Sequence, residues 1–141
     1  MVRIELLDWE TARGAATPIR FAVFVEEQRV PAEIEMDEHD TLCVHALAFD
    51  AAGRAVGTGR LLPDGHLGRM AVLPDARNRG IGGMILERLV EQARQRGDAE
   101  VVLSAQVHAV NFYRRHGFAV EGEVYLEAGI RHQSMRRRLV R

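Results

Sequence analysis

Apolar and polar positions along this chain recur with two periods, near two and near four residues, and the switches between them outline its elements. Residues 2–7 place Val2, Ile4, Leu6 and Leu7 among charges, which predicts a strand. Residues 9–27 predict one or two helices, with Pro18 starting the second, since proline suits a first helical turn. Residues 31–41 predict an acidic loop or short turn. A strand follows over 44–50, a hairpin turn at Ala51-Ala52-Gly53-Arg54, and a returning strand over 55–62. Asp64-Gly65 marks another turn before a third strand over 67–73. Ile81, Ile85, Leu89 and Ala93 then fall at i, i+4, i+8 and i+12, with Leu86 and Val90 widening the stripe and Gly97 as C-cap. A strand at 101–105, a helix at 107–116 and strands near 118–124 and 131–140 complete the chain. This order predicts an α/β (α+β) fold with a mixed sheet covered by helices.

The candidate chemistry concentrates in residues 77–86, where three glycines open a helix and two arginines precede them. A helix N-terminus offers unpaired N–H groups and the positive end of a dipole, which together suit an anion. Gly80, Gly82 and Gly83 remove Cβ atoms that would keep a phosphate from the amides of Asn78, Arg79, Gly80, Ile81, Gly82 and Gly83. Arg77 and Arg79 supply forked donors for further phosphate charge. The stretch reads as a pyrophosphate-binding turn. No Lys-Ser or Lys-Thr follows a glycine, so the P-loop pattern is absent, and Ile85 stands where a dinucleotide fingerprint needs glycine.

Arg77-x-x-Gly80-x-Gly82 resembles the Gln/Arg-x-x-Gly-x-Gly/Ala signature of the GNAT superfamily of N-acyltransferases. About thirty residues on, Ala109, Tyr113, Gly117 and Phe118 match a second signature of that family, N-x-x-A-x-x-x-Y-x-x-x-G-F, with Gln106 where asparagine is usual. The resemblance covers nearly the whole chain. Within the family, Arg20-x-x-Val23-Phe24-Val25-x-Glu27-Gln28, Glu35-x-Asp37-x-x-Asp40, His45, Gly68-Arg69-Met70-Ala71-Val72 and Gly129-Ile-Arg-His132 look similar to the ElaA-type subgroup.

The resemblance implies a GNAT fold, with a mostly antiparallel sheet of about six or seven strands that splays between the strands near 68–73 and 101–105. It implies acetyl-CoA as cosubstrate, no metal, and an acetyl group passed by direct attack to a primary amine of a small molecule or protein. Backbone groups of Met70, Ala71 and Val72 would hold pantetheine, Gln106 and Asn111 would hydrogen-bond pantetheine or the adenosine end, and Tyr113 would be the general acid. Homodimers are frequent in this fold. A non-catalytic module that binds CoA, or regulates through it, is the alternative.

An amine of pKa about 10.4 is neutral in only about one part in 10³ at pH 7, so a base is needed. Glu27, Glu35 and Asp37 are the candidates. The run 33–40 is either a solvated acidic loop or an attractor for a cationic acceptor such as a polyamine, an aminoglycoside or a lysine-bearing protein. His39, His45, Asp37 and Asp40 are ligand types, but H-E-x-x-H and the EF-hand glycine are missing, so no metal is expected.

Composition narrows the rest. A chain of 141 residues with 47% apolar content predicts one domain, 1–141, with a real core. A net charge of −1 argues against a nucleic-acid partner, and Arg136-Arg137-Arg138 read as solvated edge-strand arginines. The lone Cys43, between Leu42 and Val44, reads as a small buried strand residue and suits a reducing compartment. No signal segment or bilayer-length apolar run is visible, which leads us to expect a cytoplasmic protein.

Overall fold

The alternating segments become β1 (Arg3–Leu7), β2 (Val44–Phe49), β3 (Ala55–Leu61), β4 (His66–Val72), β5 (Glu100–Gln106), β6 (Ala119–Glu127) and β7 (Ile130–Arg138). They form a seven-stranded sheet in the order β1-β2-β3-β4-β5-β7-β6. Every neighbouring pair is antiparallel except β4 and β5. The helices are α1 (Trp9–Arg20), α2 (Ala32–Glu35), α3 (Ile81–Gln95) and α4 (Val110–Arg115). This computed structural model describes residues 1–35 and 37–139, and the side chains of all of these except 34 and 35. No helix among the described residues is long and apolar enough to cross a membrane.

The two faces of the sheet follow from the period of two. On β2, Ala46 and Ala48 pack into the core beneath α3, whereas Leu47 joins Ala12 and Ala16 of α1 on the opposite face. On β3, a Cβ at Gly57 would stand 2.9 Å from Ile85, and one at Gly59 would stand 3.0 Å from it. Glycine at these positions lets α3 lie close on the strand.

Pro18 does not start a helix. It lies inside α1, which Asp8 caps by accepting from the Thr11 amide at 2.9 Å. The apolar stripe Ala12, Ala16, Ile19 and Val23 runs past the proline and is buried throughout. An interior proline costs about 3 kcal/mol, and burying two aliphatic side chains returns about as much or more. Beyond Arg20 the chain widens into a π-helical segment, Phe21–Glu27, in which the Gln28 amide donates to the Val23 carbonyl at 3.0 Å.

The acidic run is not a plain loop. It forms α2 and a 3-10 turn, Glu38–Leu42, and the carboxylates of Asp37 and Asp40 turn inward while Glu33 and Glu38 stay exposed. Asp40 accepts from both Nη atoms of Arg20 at 2.9 and 3.0 Å and from Arg60 Nη1 at 2.8 Å. Asp37 accepts from Arg60 at 2.8 and 2.9 Å and from Arg69 Nη2 at 3.1 Å. His45 Nε2 lies 2.8 Å from the Asp40 carbonyl. Arg20 and Asp40 are each 1% exposed and Arg60 is 6% exposed, so these charges are compensated in the interior.

The C-terminal arginines also differ from the expected edge. β7 lies between β5 and β6, and Arg136 pairs with Glu121 at 2.8 and 3.0 Å and with Glu100. A two-residue turn, Ala128-Gly129, joins β6 to β7 with φ of 52° and 77°. Positive φ at both positions suits the twist of a tight hairpin, and it extends both strands toward the site.

Asp40→Ala should lower unfolding free energy by about 3–5 kcal/mol, since it leaves buried guanidinium groups uncompensated. Arg54→Ala, which breaks the exposed pair with Asp75, should cost far less because solvent screens that pair, and urea titrations compare the two variants. The Arg60 guanidinium holds the Asp37 carboxyl down at about 2, from an ordinary 3.8. A carboxyl lowered by folding stabilises above its unfolded pKa, so this contribution is complete above about pH 4 and lost as pH falls through about 2. Asp37→Asn should flatten that acid limb.

Candidate active site

The site begins where two parallel strands part. β4 and β5 pair only at His66↔Val102 and Leu67↔Leu103. At the same point the pairing with β3 slips, Thr58 facing Ala71 and Arg60 facing Gly68, so β4 bulges around Arg69. Arg69 has φ 50°, a left-handed conformation that bends the strand away from β5. The gap opens into a cavity of about 580 Å³ whose wall includes Met70, Ala71, Val72, Gln106 and Tyr113. Met70, Ala71 and Val72 lie on β4 beyond its last pair with β5, so the edge they turn toward β5 is unpaired, while Ala71 and Val72 face Thr58 and Gly57 of β3 on the other edge.

A second groove of about 970 Å³ lies over the glycine turn, between the start of α3 and α4. Val72, Arg77, His108 and Ala109 belong to both walls, so groove and cavity adjoin. Gly80 caps α3 with φ 76°, and no side chain accepts from the first turn. Among the described residues nothing accepts from the amides of Asn78, Arg79, Gly80, Ile81, Gly82 or Gly83. A Cβ at Gly82 would meet nothing nearer than Phe112 at 3.6 Å, so protein packing does not demand glycine there. Gly83 has another reason, since its Cβ would stand 3.1 Å from the His116 ring.

The arginines of the turn behave differently from the expectation. Arg77 gives Nε to the Val72 carbonyl at 3.0 Å and its two Nη atoms to Glu27 at 2.8 and 2.6 Å. Its guanidinium braces the exit of β4 against the π-helical segment rather than reaching over the groove. Arg79 is exposed and lines neither wall, although its amide belongs to the turn. Asn111 is also exposed, accepts from Arg114 at 3.4 Å and lines neither wall. Gln106 does face the cavity, where its Nε2 donates to Gln28 Oε1 at 2.8 Å. Glu27 and Gln28 thus strap the π-helical segment to both sides of the split, one to the turn after β4 and one to the end of β5. Pairings across 50 and 78 residues left no local pattern to read.

Tyr113 lines the cavity, with its ring edge-on to Phe112 and Phe118. Burial pushes its phenol up to about 12, and no described group bonds the hydroxyl. Of the carboxylates singled out as bases, Glu27 is in the cavity wall but held below its ordinary value by Arg77. Asp37 lines neither space and is clasped by Arg60 and Arg69. The Glu35 side chain lies outside the described residues. The compensated aspartates also remove most of the support for an acidic funnel drawing in a cationic acceptor. Cys43 donates to the His39 carbonyl at 3.2 Å, and burial lifts its thiol to about 11, which leaves no reactive thiolate.

Sequence reasoning passed over several cavity groups as chemistry. His132, Glu127, Ser104 and His108 line it, and Ser104 bonds the Tyr125 hydroxyl. His132 and Gln28 lay within the ElaA-like segments, which was the one signal available.

The Acetyltransferase (GNAT) domain family matches residues 11–139. The Bacillus subtilis (strain 168) protein named Uncharacterized N-acetyltransferase YjcF is 41% identical over 121 residues, covering 83% of this chain and 86% of the relative. An acyl-CoA N-acyltransferase from Pseudomonas aeruginosa has a crystal structure that superposes with TM-score 0.86 at 31% identity, covering 97% of this chain and 99% of that one. The crystal structure of Escherichia coli ElaA gives TM-score 0.86 at 29% identity, with the same coverage of 97% and 99%. The glycine turn, the split between β4 and β5 and these likenesses agree, and the chain belongs to the GNAT acetyltransferase family.

Proposed function

We propose that this chain transfers an acetyl group from acetyl-CoA to a primary amine, of a small molecule or a protein, by direct attack. One observation carries the reading. Unpaired amides at the start of α3 open into a groove that adjoins a cavity with the Tyr113 phenol in its wall. The first feature suits a diphosphate, and the second suits a leaving group that departs with negative charge. Acetyl-CoA supplies both, with a thioester between them. The names of the relatives, N-acetyltransferase and acyl-CoA N-acyltransferase, support the same reaction class.

The residues divide the work. The amides of 80–83 bind and orient phosphate through fixed dipoles. The unpaired edge of β4 from Met70 to Val72 offers backbone groups to an extended pantetheine arm. Tyr113 faces the sulfur as a donor. With its pKa near 12 it stays protonated at any assay pH. A thiolate of pKa about 8.5 is a weaker base than tyrosinate by ~3 orders of magnitude. Tyr113 therefore acts chiefly through a hydrogen bond that strengthens as sulfur gains charge.

Acetyl-CoA at about 100 Kd should stabilise the fold by about 2.7 kcal/mol, several degrees in Tm for a domain of this size. NAD should produce no shift. Gly82→Glu should abolish the shift while the protein stays folded, because a helix N-terminus tolerates a carboxylate that repels phosphate. An unmoved Tm with every CoA ester would end the reading. Tyr113→Phe should cut turnover by about 10²-fold with the thermal shift retained. Thiol release across a panel of amines measures both turnover and acceptor, and a variant as fast as the native chain would remove Tyr113 from the chemistry.

A further inference from the structure

The acyl-transfer reading leaves the proton of the incoming amine without a destination. The carboxylates singled out for it are held by arginine or lie outside the described side chains. The cavity wall offers another group.

His132 sits on β7, opposite Gln106 of β5 and Tyr125 of β6, and is 7% exposed. Its Nδ1 lies 2.8 Å from the carbonyl of Ile130. A carbonyl oxygen only accepts, so Nδ1 carries the proton and Nε2 of the neutral ring keeps its lone pair. Glu127 places Oε2 3.9 Å from that Nε2, on the side of the ring that faces the cavity groups. Tyr125 stacks on the ring at 6.1 Å. His132 and Glu127 both line the cavity that Tyr113 lines. The other histidines there lack this arrangement. His66 is exposed beside Asp64 at 3.0 Å, and His108 is exposed with no carbonyl fixing its tautomer.

The backbone explains the pairing. Glu127 ends β6 and Ile130 begins β7, joined only by Ala128-Gly129. Ala128, held at φ 52°, closes the turn so tightly that Glu127 returns opposite Ile130, two residues from His132. Alanine takes this left-handed conformation against the steric preference of its Cβ.

We propose that His132 is the catalytic base that takes the proton from the acceptor amine, with Glu127 as a positioning residue; this rests on the acyl-transfer reading above. An ammonium N–H gives its proton to Nε2. The freed lone pair forms the C–N bond to the acyl carbon while the C–S bond breaks and its electrons leave on sulfur. The nitrogen's second proton, shed as the amide forms, ends on sulfur, and His132 returns its own to water.

The test compares the native chain with His132→Asn, whose amide can still donate to the Ile130 carbonyl, and with His132→Gln, by thiol release across pH. The titratable groups against the ring are Tyr125 and Glu127 of β6; Tyr113 and His108 share the cavity wall with it, and its β5 neighbour Gln106 is neutral. At pH 7 either variant should lose about 10²-fold in turnover, with the acetyl-CoA thermal shift unchanged. Near pH 10 the amine deprotonates unaided, so the loss should shrink below ~10-fold. Glu127→Gln should lose about tenfold at pH 7. A loss that is the same at every pH marks a merely structural histidine and overturns the proposal. So does a folded variant within ~3-fold of native at pH 7. A native chain that releases no thiol with any amine sinks the acyl-transfer reading, and this proposal with it.

Discussion

Two aspartates set the shape of the site from a distance. Asp40 joins α1, through Arg20, to β3, through Arg60; Asp37 carries the chain of charge on from Arg60 to Arg69. Arg69 is the left-handed residue at the bulge of β4, so this line of ion pairs ends where β4 leaves β5. Apolar side chains of similar size would often be as stable as buried ion pairs. What they would lack is direction. A guanidinium fork fixes the angle between the groups it joins, and here it fixes a bent strand against a straight one.

How legible was this? Local features read well. The stripe from Ile81 to Ala93 and the glycines before it gave α3 and its open N-terminus, because each depends on neighbours within a turn or two. The meander of β2, β3 and β4 read well for the same reason. Features that depend on a distant partner did not. Pro18 looked like a boundary because a burial stripe that crosses it is visible only once the sheet is beneath it. Ala128 gave no turn signal, since alanine seldom takes positive φ, so the first strand of the hairpin it closes reads in the sequence as ending near 124 rather than at Glu127. Arg136 and Arg137 looked solvated because Glu121, Glu100 and Glu87 come from three other elements.

The acidic run shows why charge in a sequence is poor evidence of charge in space. Residues 33–40 carry a surplus of carboxylates, which suggested an acceptor-attracting surface. Folding places arginines from α1, β3 and β4 against Asp37 and Asp40, so both are spent on architecture. The segments that resemble ElaA supply much of this network. Arg20, Asp37, Asp40, His45 and Arg69 are structural partners, and Glu27 and Gln28 hold the strap. The likeness in those segments therefore speaks for a shared frame more than for a shared acceptor.

Arg77 completes the argument about the donor end. The first residue of the glycine signature reads in the sequence as a phosphate ligand, yet three of its N–H donors serve Glu27 and the Val72 carbonyl. With its charge matched by Glu27, the pair adds little field at the turn. The proposed affinity for a diphosphate would then rest on the helix end itself, equivalent to about half a positive charge, and on amides that no intervening side chain covers. Such dipoles are fixed by the backbone and need no reorganisation when an anion arrives. Arg77 contributes by fixing where that backbone lies. It ties the exit of β4 to the strap over the cavity, so the amides proposed to bind phosphate and the strand edge proposed to meet pantetheine keep one register.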